Sequence, residues 1–229
     1  YDGMGRLTER RNPDGQLEEW NQYDELGRRT VRKLADGEEF HFHYEAQGFL
    51  SDITSAGNRE EGRRLQSYRY NSRGQVIGIL DGNGNQTGFD LDAWGKLMKI
   101  RAADGGVEGY TYDYAGNITS TTDANGGIIH YRYNSQGKVC GITDQEGLKE
   151  WFCYDREGRQ ILSIDRLGNR VETEYNIDGN PVKRVSCDKH GKNRDVRIWE
   201  YDCLGYLRQA IGGGFRYRYE YRPDGKLLC

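Results

Sequence analysis

The sequence has little of what marks several common protein classes. Its 229 residues include only 3 prolines, and 33 basic side chains nearly balance 36 acidic ones, for a formal net charge of −3. Because nucleic-acid binding draws on a surplus of positive charge, this balance argues against a nucleic-acid partner. No run approaches the ~18 apolar residues of a transmembrane helix, so we expect no membrane insertion.

Apolar residues are scarce as well, at 35% of the chain with a mean hydropathy of −0.95. Such a composition approaches that of disordered proteins, but disordered chains usually combine high net charge with few aromatic residues. This chain is nearly neutral and contains 17 Tyr, 4 Trp and 6 Phe together with 32 Gly. The combination favours a repetitive β protein with many turns.

Sequence motifs for chemistry are also missing. The cysteines form no C-x-x-C pair, which argues against a zinc ribbon or a thioredoxin-like site and favours free thiols. They are Cys140, Cys153, Cys187, Cys203 and Cys229. No G-x-S-x-G, phosphate-binding loop or H-E-x-x-H motif occurs, so we expect no catalytic residue, no cofactor and no enzyme activity in this chain.

The dominant feature is a repeat of the form Tyr-Asp-x-x-Gly. Units begin at Tyr1, Tyr23, Tyr44, Tyr70, Leu91, Tyr112, Tyr133, Tyr154, Tyr175, Tyr201 and Tyr221, with spacings of 22, 21, 26, 21, 21, 21, 21, 21, 26 and 20 residues. Counting the leading residue as position 0, position +4 is glycine in every unit: Gly5, Gly27, Gly48, Gly74, Gly95, Gly116, Gly137, Gly158, Gly179, Gly205 and Gly225. The sequence therefore predicts a single repeat array over residues 1–229.

The motif predicts a chain reversal at each repeat. Asp or Asn at position +1 can hydrogen-bond the backbone two residues on, and the glycine supplies a positive φ. A second turn signal follows about ten residues later, as in Asp81 to Gly84 and Asp165 to Gly168, or the shorter Asp36-Gly37. Two reversals in ~21 residues leave two strands of ordinary length, so we predict an all-β chain of about 22 strands in tandem hairpins.

Aromatic residues recur two positions before the leading Tyr, except at Asn21 and Thr173. A spacing of two puts both rings on one face of a strand, so we expect ring columns, formed by cross-strand aromatic pairs, to hold the sheet together. The other strand carries apolar residues at positions +6 and +9, such as Val76 and Ile79. A spacing of three does not fit strict alternation, which predicts a β-bulge.

The runs Tyr1 to Leu7, Tyr23 to Arg28 and Tyr112 to Ile118 resemble the YD repeat of the Rhs family, which includes bacterial polymorphic and wall-associated toxins, insecticidal toxin-complex subunits and teneurins. The resemblance covers the whole chain. It implies a long, twisted antiparallel sheet curved as part of a spiralling shell that encloses or displays a C-terminal toxin or effector. It also implies a secreted or cell-surface protein.

In such shells a self-cleavage motif containing Asp-Pro precedes the toxin. The three prolines here follow Asn12, Asn180 and Arg222. We therefore expect the self-cleavage site and any toxin to lie outside this chain.

Two alternatives to a purely structural role come from particular residues. His41 and His43 share one face of a strand and could bind a metal, but no third ligand is nearby, and Phe40, Phe42 and Tyr44 mark the other face as the packed one. The aromatic residues could stack on cell-surface carbohydrate, as in an adhesion module, although the regular spacing favours structural stacking.

Two further expectations concern loops and edges. The two 26-residue units gain five residues each, at Ala56 to Arg64 and Asp188 to Asp195, and these longer loops could contact a partner. The chain starts within a strand-to-turn element at Tyr1 and stops partway into a strand at Cys229. We therefore predict edge-to-edge self-association unless the edges are capped.

Overall fold

The computed structural model describes residues 1–56 and 62–228, and all of its regular structure is β-strand. The twenty strands belong to one antiparallel sheet. Their bounds are β1 Glu9–Arg11, β2 Leu17–Tyr23, β3 Arg29–Leu34, β4 Glu39–Tyr44, β5 Leu50–Ala56, β6 Arg63–Tyr70, β7 Val76–Asp81, β8 Gln86–Leu91, β9 Leu97–Arg101, β10 Val107–Tyr112, β11 Ile118–Thr122, β12 Ile128–Tyr133, β13 Val139–Thr143, β14 Lys149–Tyr154, β15 Gln160–Ile164, β16 Arg170–Tyr175, β17 Pro181–Cys187, β18 Asp195–Tyr201, β19 Leu207–Gly212 and β20 Phe215–Arg218. The all-β prediction is confirmed.

Strands β1 to β10 pair with their neighbours in sequence, and so do β11 to β20, so the tandem hairpins predicted from the two turn signals are present. In β12–β13, for example, Tyr131 lies opposite Ile142, and in β13–β14 Gly141 lies opposite Trp151. The chain divides into two compact units, one comprising Tyr1–Tyr110 with Asp123–Gly126 and the other Thr111–Thr122 with Gly127–Cys229.

The described strands bury very little. Val185, at 9% exposure, is the one hydrophobic side chain in the described part of the chain that counts as buried. The accessible surface of 16116 Å² compares with about 10,600 Å² for a typical compact monomer of 26.3 kDa. Stability must therefore come mainly from contacts within the sheet and not from a core between layers.

The predicted bulge is confirmed, and it recurs at the same place in successive repeats. In the second repeat Gln22 pairs with Val31 and Tyr23 with Arg29, so Thr30 at position +7 is left over. The same register shift occurs at His43/Tyr44, Arg69/Tyr70, Asp90/Leu91, Arg132/Tyr133, Cys153/Tyr154, Glu174/Tyr175 and Glu200/Tyr201. The extra residue returns positions +6 and +9 to one face, which explains their spacing of three.

Of the two longer loops, the structure describes the second one completely. Residues 57–61 of the first loop lie outside the described residues. The second loop, Asp188 to Asp195, contains Asn193 at φ 51°, the one non-glycine residue with positive φ in the described chain. The Asn193 side-chain amide donates to the Asp188 carboxylate at 2.9 Å, which fixes this loop.

Candidate functional site: the tyrosine face and its sockets

We call the side of the sheet that carries the leading tyrosines the tyrosine face, and the other side the opposite face. Each leading Tyr is placed by the turn that follows it. The glycine at position +4 has a positive φ in all eleven units, from 73° at Gly137 to 92° at Gly48. The glycines of the second turns, such as Gly84 and Gly168, also have positive φ, so the turn prediction is confirmed.

The acidic residue at position +1 stabilises the turn through its carboxylate. Asp113 accepts a hydrogen bond from the Asn117 backbone N–H at 2.9 Å and from the Asn117 side-chain amide at 3.0 Å. The Asn117 side chain, followed by its backbone N–H, lowers the pKa of Asp113 below its usual value. In the second turns, the side-chain amide of Asn169 lowers the pKa of Asp165 in the same way. These carboxylates are thus committed to turn geometry and not to acid–base chemistry.

Successive repeats interlock through position +5. The Arg28 guanidinium lies over the Tyr44 ring, 4.6 Å from its centroid, and a Cβ added to Gly48 would lie 3.6 Å from Arg28 Nη1. Phe49 likewise stacks on Tyr70 with centroids 5.0 Å apart, and a Cβ on Gly74 would lie 2.3 Å from Phe49 Cζ. We define the inter-repeat socket as the Tyr at position 0 and the Gly at +4 of one repeat, which receive the +5 side chain of the preceding repeat.

The socket recurs with varied occupants. Further pairs of occupant and ring are Arg6 and Tyr23, Lys138 and Tyr154, Arg159 and Tyr175, and Tyr206 and Tyr221. An arginine or lysine over a ring gains a cation–π interaction, while an aromatic occupant gains a stacked pair. Sequence reasoning missed the socket. The signal available was the column of long or aromatic side chains at position +5.

The tyrosine hydroxyl makes a second link between repeats. Tyr154 Oη donates to the Val139 carbonyl at 2.8 Å, and Tyr44 Oη to the Arg29 carbonyl at 2.8 Å. The same bond to position +6 of the preceding repeat is made by Tyr23, Tyr70, Tyr133 and Tyr175. Position +6 immediately precedes the bulged residue. Because the bulge interrupts the ladder there, the carbonyl of position +6 needs another hydrogen-bond donor, and the tyrosine hydroxyl supplies it. Burial raises the pKa of Tyr44 and Tyr154 above the ordinary value.

The predicted ring columns need correction. Leading tyrosines of successive repeats are separated by two strand spacings, about 9.6 Å, which exceeds the 4.5–7 Å of an aromatic pair. The column instead alternates each ring with a +5 side chain. Closer to the strand centres, the tyrosine face pairs an aromatic ring with isoleucine, as in Tyr68 opposite Ile79 and Phe89 opposite Ile100. Aromatic–aliphatic pairs therefore take the place of the ring ladder.

Asn21, at one of the two positions that lack an aromatic residue two before the leading Tyr, has the most buried side chain in the described part of the chain. Asn21 is 2% exposed, and its amide donates to Glu19 at 3.1 Å. Burial opposes ionisation of Glu19, but hydrogen bonds from Asn21 and Arg32 outweigh it and lower the pKa of Glu19. This polar pair replaces a ring in the N-terminal repeats.

The candidate metal ligands lie on the opposite face, as their alternation predicts. His41 Nε2 is 3.1 Å from Glu39 Oε1, and His43 Nε2 is 3.3 Å from Thr54 Oγ1. No group of three His, Cys, Asp or Glu residues within residues 1–56 and 62–228 could hold a metal ion. In the same ranges no helix is long and apolar enough to cross a membrane. Where aromatic rings pair with isoleucine, the tyrosine face offers apolar contact area.

Comparison with known proteins agrees with this geometry. The family model named RHS Repeat matches residues 70–107 and 112–149. These two segments of the chain therefore carry Rhs repeats. A search of curated proteins finds no match.

Among solved structures, the sheet is similar to a Photorhabdus luminescens Tc holotoxin pore carrying a TccC3 mutation, with a TM-score of 0.76 and 14% identity over 98% of this chain and 13% of that chain. It is also similar to TcdB2-TccC3-TEV, with a TM-score of 0.71 and 15% identity over 91% of this chain and 12% of that chain. At this identity the likeness establishes the fold. The chain spans about an eighth of the length of these matched chains.

Proposed function

We propose that this Rhs-repeat chain is part of a non-catalytic wall that encloses or displays another polypeptide, and that residues 1–229 form one continuous array. The observation that supports the proposal is the tyrosine face itself. Rows of aromatic and isoleucine side chains lie half-buried on a sheet with no second layer among the described residues. An apolar surface of this kind is suited to covering another chain.

The inter-repeat contacts support the same role. A wall has to keep its strands in register without a core, and sockets and tyrosine hydroxyl bonds tie successive repeats together wherever the leading residue is one of the tyrosines named above. We infer that the leading tyrosines and turn glycines are structural residues, and that the face between them contacts the enclosed polypeptide. The matched structures come from Tc toxins, which supports a C-terminal toxin or effector as that polypeptide and a secreted or cell-surface location.

A photo-crosslinking experiment tests this proposal. The photoreactive amino acid p-benzoylphenylalanine would replace Tyr131 on the tyrosine face or, as the matched control, His130 next to it on the opposite face. The protein would be irradiated in the cells that produce it, and crosslinked peptides would be identified by mass spectrometry. We expect Tyr131 to crosslink to a polypeptide from outside residues 1–229 and the control to give several-fold less.

Two results would overturn the proposal. One is an equal yield from both positions, and the other is no crosslink from the tyrosine face. A glycan array probed with the same chain addresses the competing adhesion function. Specific, saturable binding to one glycan class, abolished by changes on the tyrosine face, would replace enclosure with carbohydrate recognition.

A further inference from the structure

Two inter-repeat sockets in the second compact unit are open, unlike the others. Of the ten repeats that follow another repeat, eight have a partly buried glycine at position +4, and the exposed ones are Gly137 and Gly205. A Cβ added to Gly137 would have no atom within 4 Å, whereas a Cβ on Gly158 would lie 2.6 Å from Cε of Lys138, its occupant. The glycine is therefore exposed where the +5 side chain of the preceding repeat does not cover it.

The cause is the short residue at position +5. The repeats that precede the open sockets carry Asn117 and Asn180 there, where the others carry arginine, lysine, glutamine, phenylalanine or tyrosine. The Asn117 amide turns back and donates to Asp113 of its own repeat at 3.0 Å. Within the described ranges, no cationic or aromatic side chain is stacked on the Tyr133 ring, although the Tyr133 hydroxyl still donates to the Ile118 carbonyl.

The arginine-filled sockets show which group this geometry holds. Arg28 lies over the Tyr44 ring, and its Nε donates to Oδ2 of Asp24 at 2.7 Å. Arg6 and Arg159 make the same two contacts in their own repeats. In each case the guanidinium lies between the +1 carboxylate of one repeat and the leading ring of the next, so it gains an ion pair and a cation–π interaction together.

Asp113 and Tyr133 provide the same carboxylate and ring without a guanidinium between them. Asp113 forms no ion pair in the part of the chain that the structure describes. Burial, and then the charge of Asp113, raise the pKa of Tyr133, and no cation opposes them. At Tyr44 the matching effect of Asp24 is opposed by Arg28. The first open socket therefore has the negative charge of a filled one and lacks its positive charge.

The second open socket differs by that charge. Position +1 of the ninth repeat is Asn176, whose side-chain oxygen accepts the Asn180 backbone N–H at 2.8 Å. A cation at the Tyr201 ring would find no carboxylate at this position. The two open sockets thus share an uncovered ring and glycine, and only the first adds a carboxylate.

We propose that the socket formed by Tyr133, Gly137 and Asp113 binds the guanidinium group of an arginine that belongs to another polypeptide. The guanidinium plane stacks on the ring, and Asp113 Oδ2, which can accept a second hydrogen bond beside that from Asn117, accepts a charge-assisted one. Arginine is favoured over lysine because a planar guanidinium can stack and pair at once. The inference concerns one side chain and holds whether or not the wall encloses a polypeptide.

Titration with a blocked arginine tests the inference on the whole chain. The probe is N-acetylarginine amide, and the control probe is N-acetylcitrulline amide, which has nearly the same shape without the charge. The protein carries carbon-13 in its tyrosine rings, and NMR follows the Tyr133 signal, which a Tyr133→Phe sample assigns. We expect a saturable shift with a millimolar dissociation constant for the arginine probe, at least about fivefold weaker binding of the citrulline probe, and a smaller difference at high salt.

Three variants locate the site. Asn117→Arg supplies the +5 residue of the filled sockets, so it should abolish the probe-induced shift and raise the urea midpoint of unfolding. Asn180→Arg is the matched control, because it makes the same change at the other open socket, and it should change probe binding at Tyr133 less than about twofold. Asp113→Asn removes the charge but keeps a turn-forming residue that other repeats use, such as Asn134, and should weaken probe binding several-fold.

Circular dichroism and urea titration show whether each variant is folded, and Asp113→Asn keeps the test informative if Asn117→Arg disrupts the sheet. Three results would overturn the inference. They are the absence of a saturable Tyr133 shift with the arginine probe, equal binding of the citrulline probe, and an equal loss of probe binding in Asn117→Arg and Asn180→Arg.

Discussion

Replacing Gly74 by alanine tests the socket with a control in the same compact unit. Gly74 has φ 76°, and a Cβ there would lie 2.3 Å from Cζ and 2.7 Å from Cε1 of Phe49. Gly84 has φ 88° and no atom within 4 Å of an added Cβ. The two substitutions therefore share the backbone strain, and only Gly74→Ala adds a collision with a ring that is stacked on Tyr70.

The magnitudes follow from these two contributions. A non-glycine residue in the left-handed region costs about 1–2 kcal/mol, so Gly84→Ala should lose about that much of the free energy of unfolding. Displacing a packed ring adds about 1–3 kcal/mol, so Gly74→Ala should lose about 2–5 kcal/mol. Urea denaturation followed by circular dichroism measures both losses, and a difference of 2 kcal/mol corresponds to a midpoint shift of about 1 M.

A double-mutant cycle isolates the collision. With Phe49→Ala as the background, the added cost of Gly74→Ala should fall to that of Gly84→Ala, because the ring is no longer there to be displaced. Equal losses for Gly74→Ala and Gly84→Ala in the parent chain would refute the socket. So would a cycle in which the Phe49 and Gly74 losses are simply additive.

Three other outcomes are expected. Tyr154→Phe, which removes only the hydroxyl that donates to the Val139 carbonyl, should cost about 0.5–1.5 kcal/mol in urea titration, and no loss would mean that the carbonyl finds another donor. Tyr133→Ala removes both the ring and its bond to Ile118 and should cost about 3 kcal/mol, whereas a loss under ~0.5 kcal/mol would show that the tyrosine column is dispensable. The folded-state pKa of Asp165 is depressed, so its contribution to stability is present above the unfolded value near 3.8 and is lost as the pH falls through the folded value. Asp165→Asn should therefore lower the free energy of unfolding less at pH 3 than at pH 7, as measured by urea titration at each pH. A loss that does not change with pH would contradict this role of the Asp165 carboxylate.

The sequence alone determined the local structure of this protein. Asp or Asn followed three residues later by Gly specifies a turn, because the side-chain oxygen accepts turn N–H groups and only glycine adopts positive φ without strain. The paired turn signals then determined the number of strands per repeat and their antiparallel pairing. The spacing of three between Val76 and Ile79 was enough to predict the bulge, since only an extra residue returns both to one face.

Contacts between repeats were decided by the tertiary structure. Position +5 of one repeat meets positions 0 and +4 of the next because two strands place them side by side, and a sequence gives no distance across strands. The same limit explains why a ring ladder was expected, since the period of the tyrosines does not reveal that about 9.6 Å separates them. It also explains Asn21, which breaks the aromatic pattern yet is buried by its neighbours.

The residues that share a face of the sheet were decided in the same way. In the sequence, Thr173 and Arg184 look like two separate exceptions to the pattern that pairs Tyr131 with Ile142. Register places Arg184 and Arg197 together on one face and Val185 and Val196 together on the other. Because a shift of one residue in register would move every side chain of a strand to the other face, these groupings emerge only when the strands are paired.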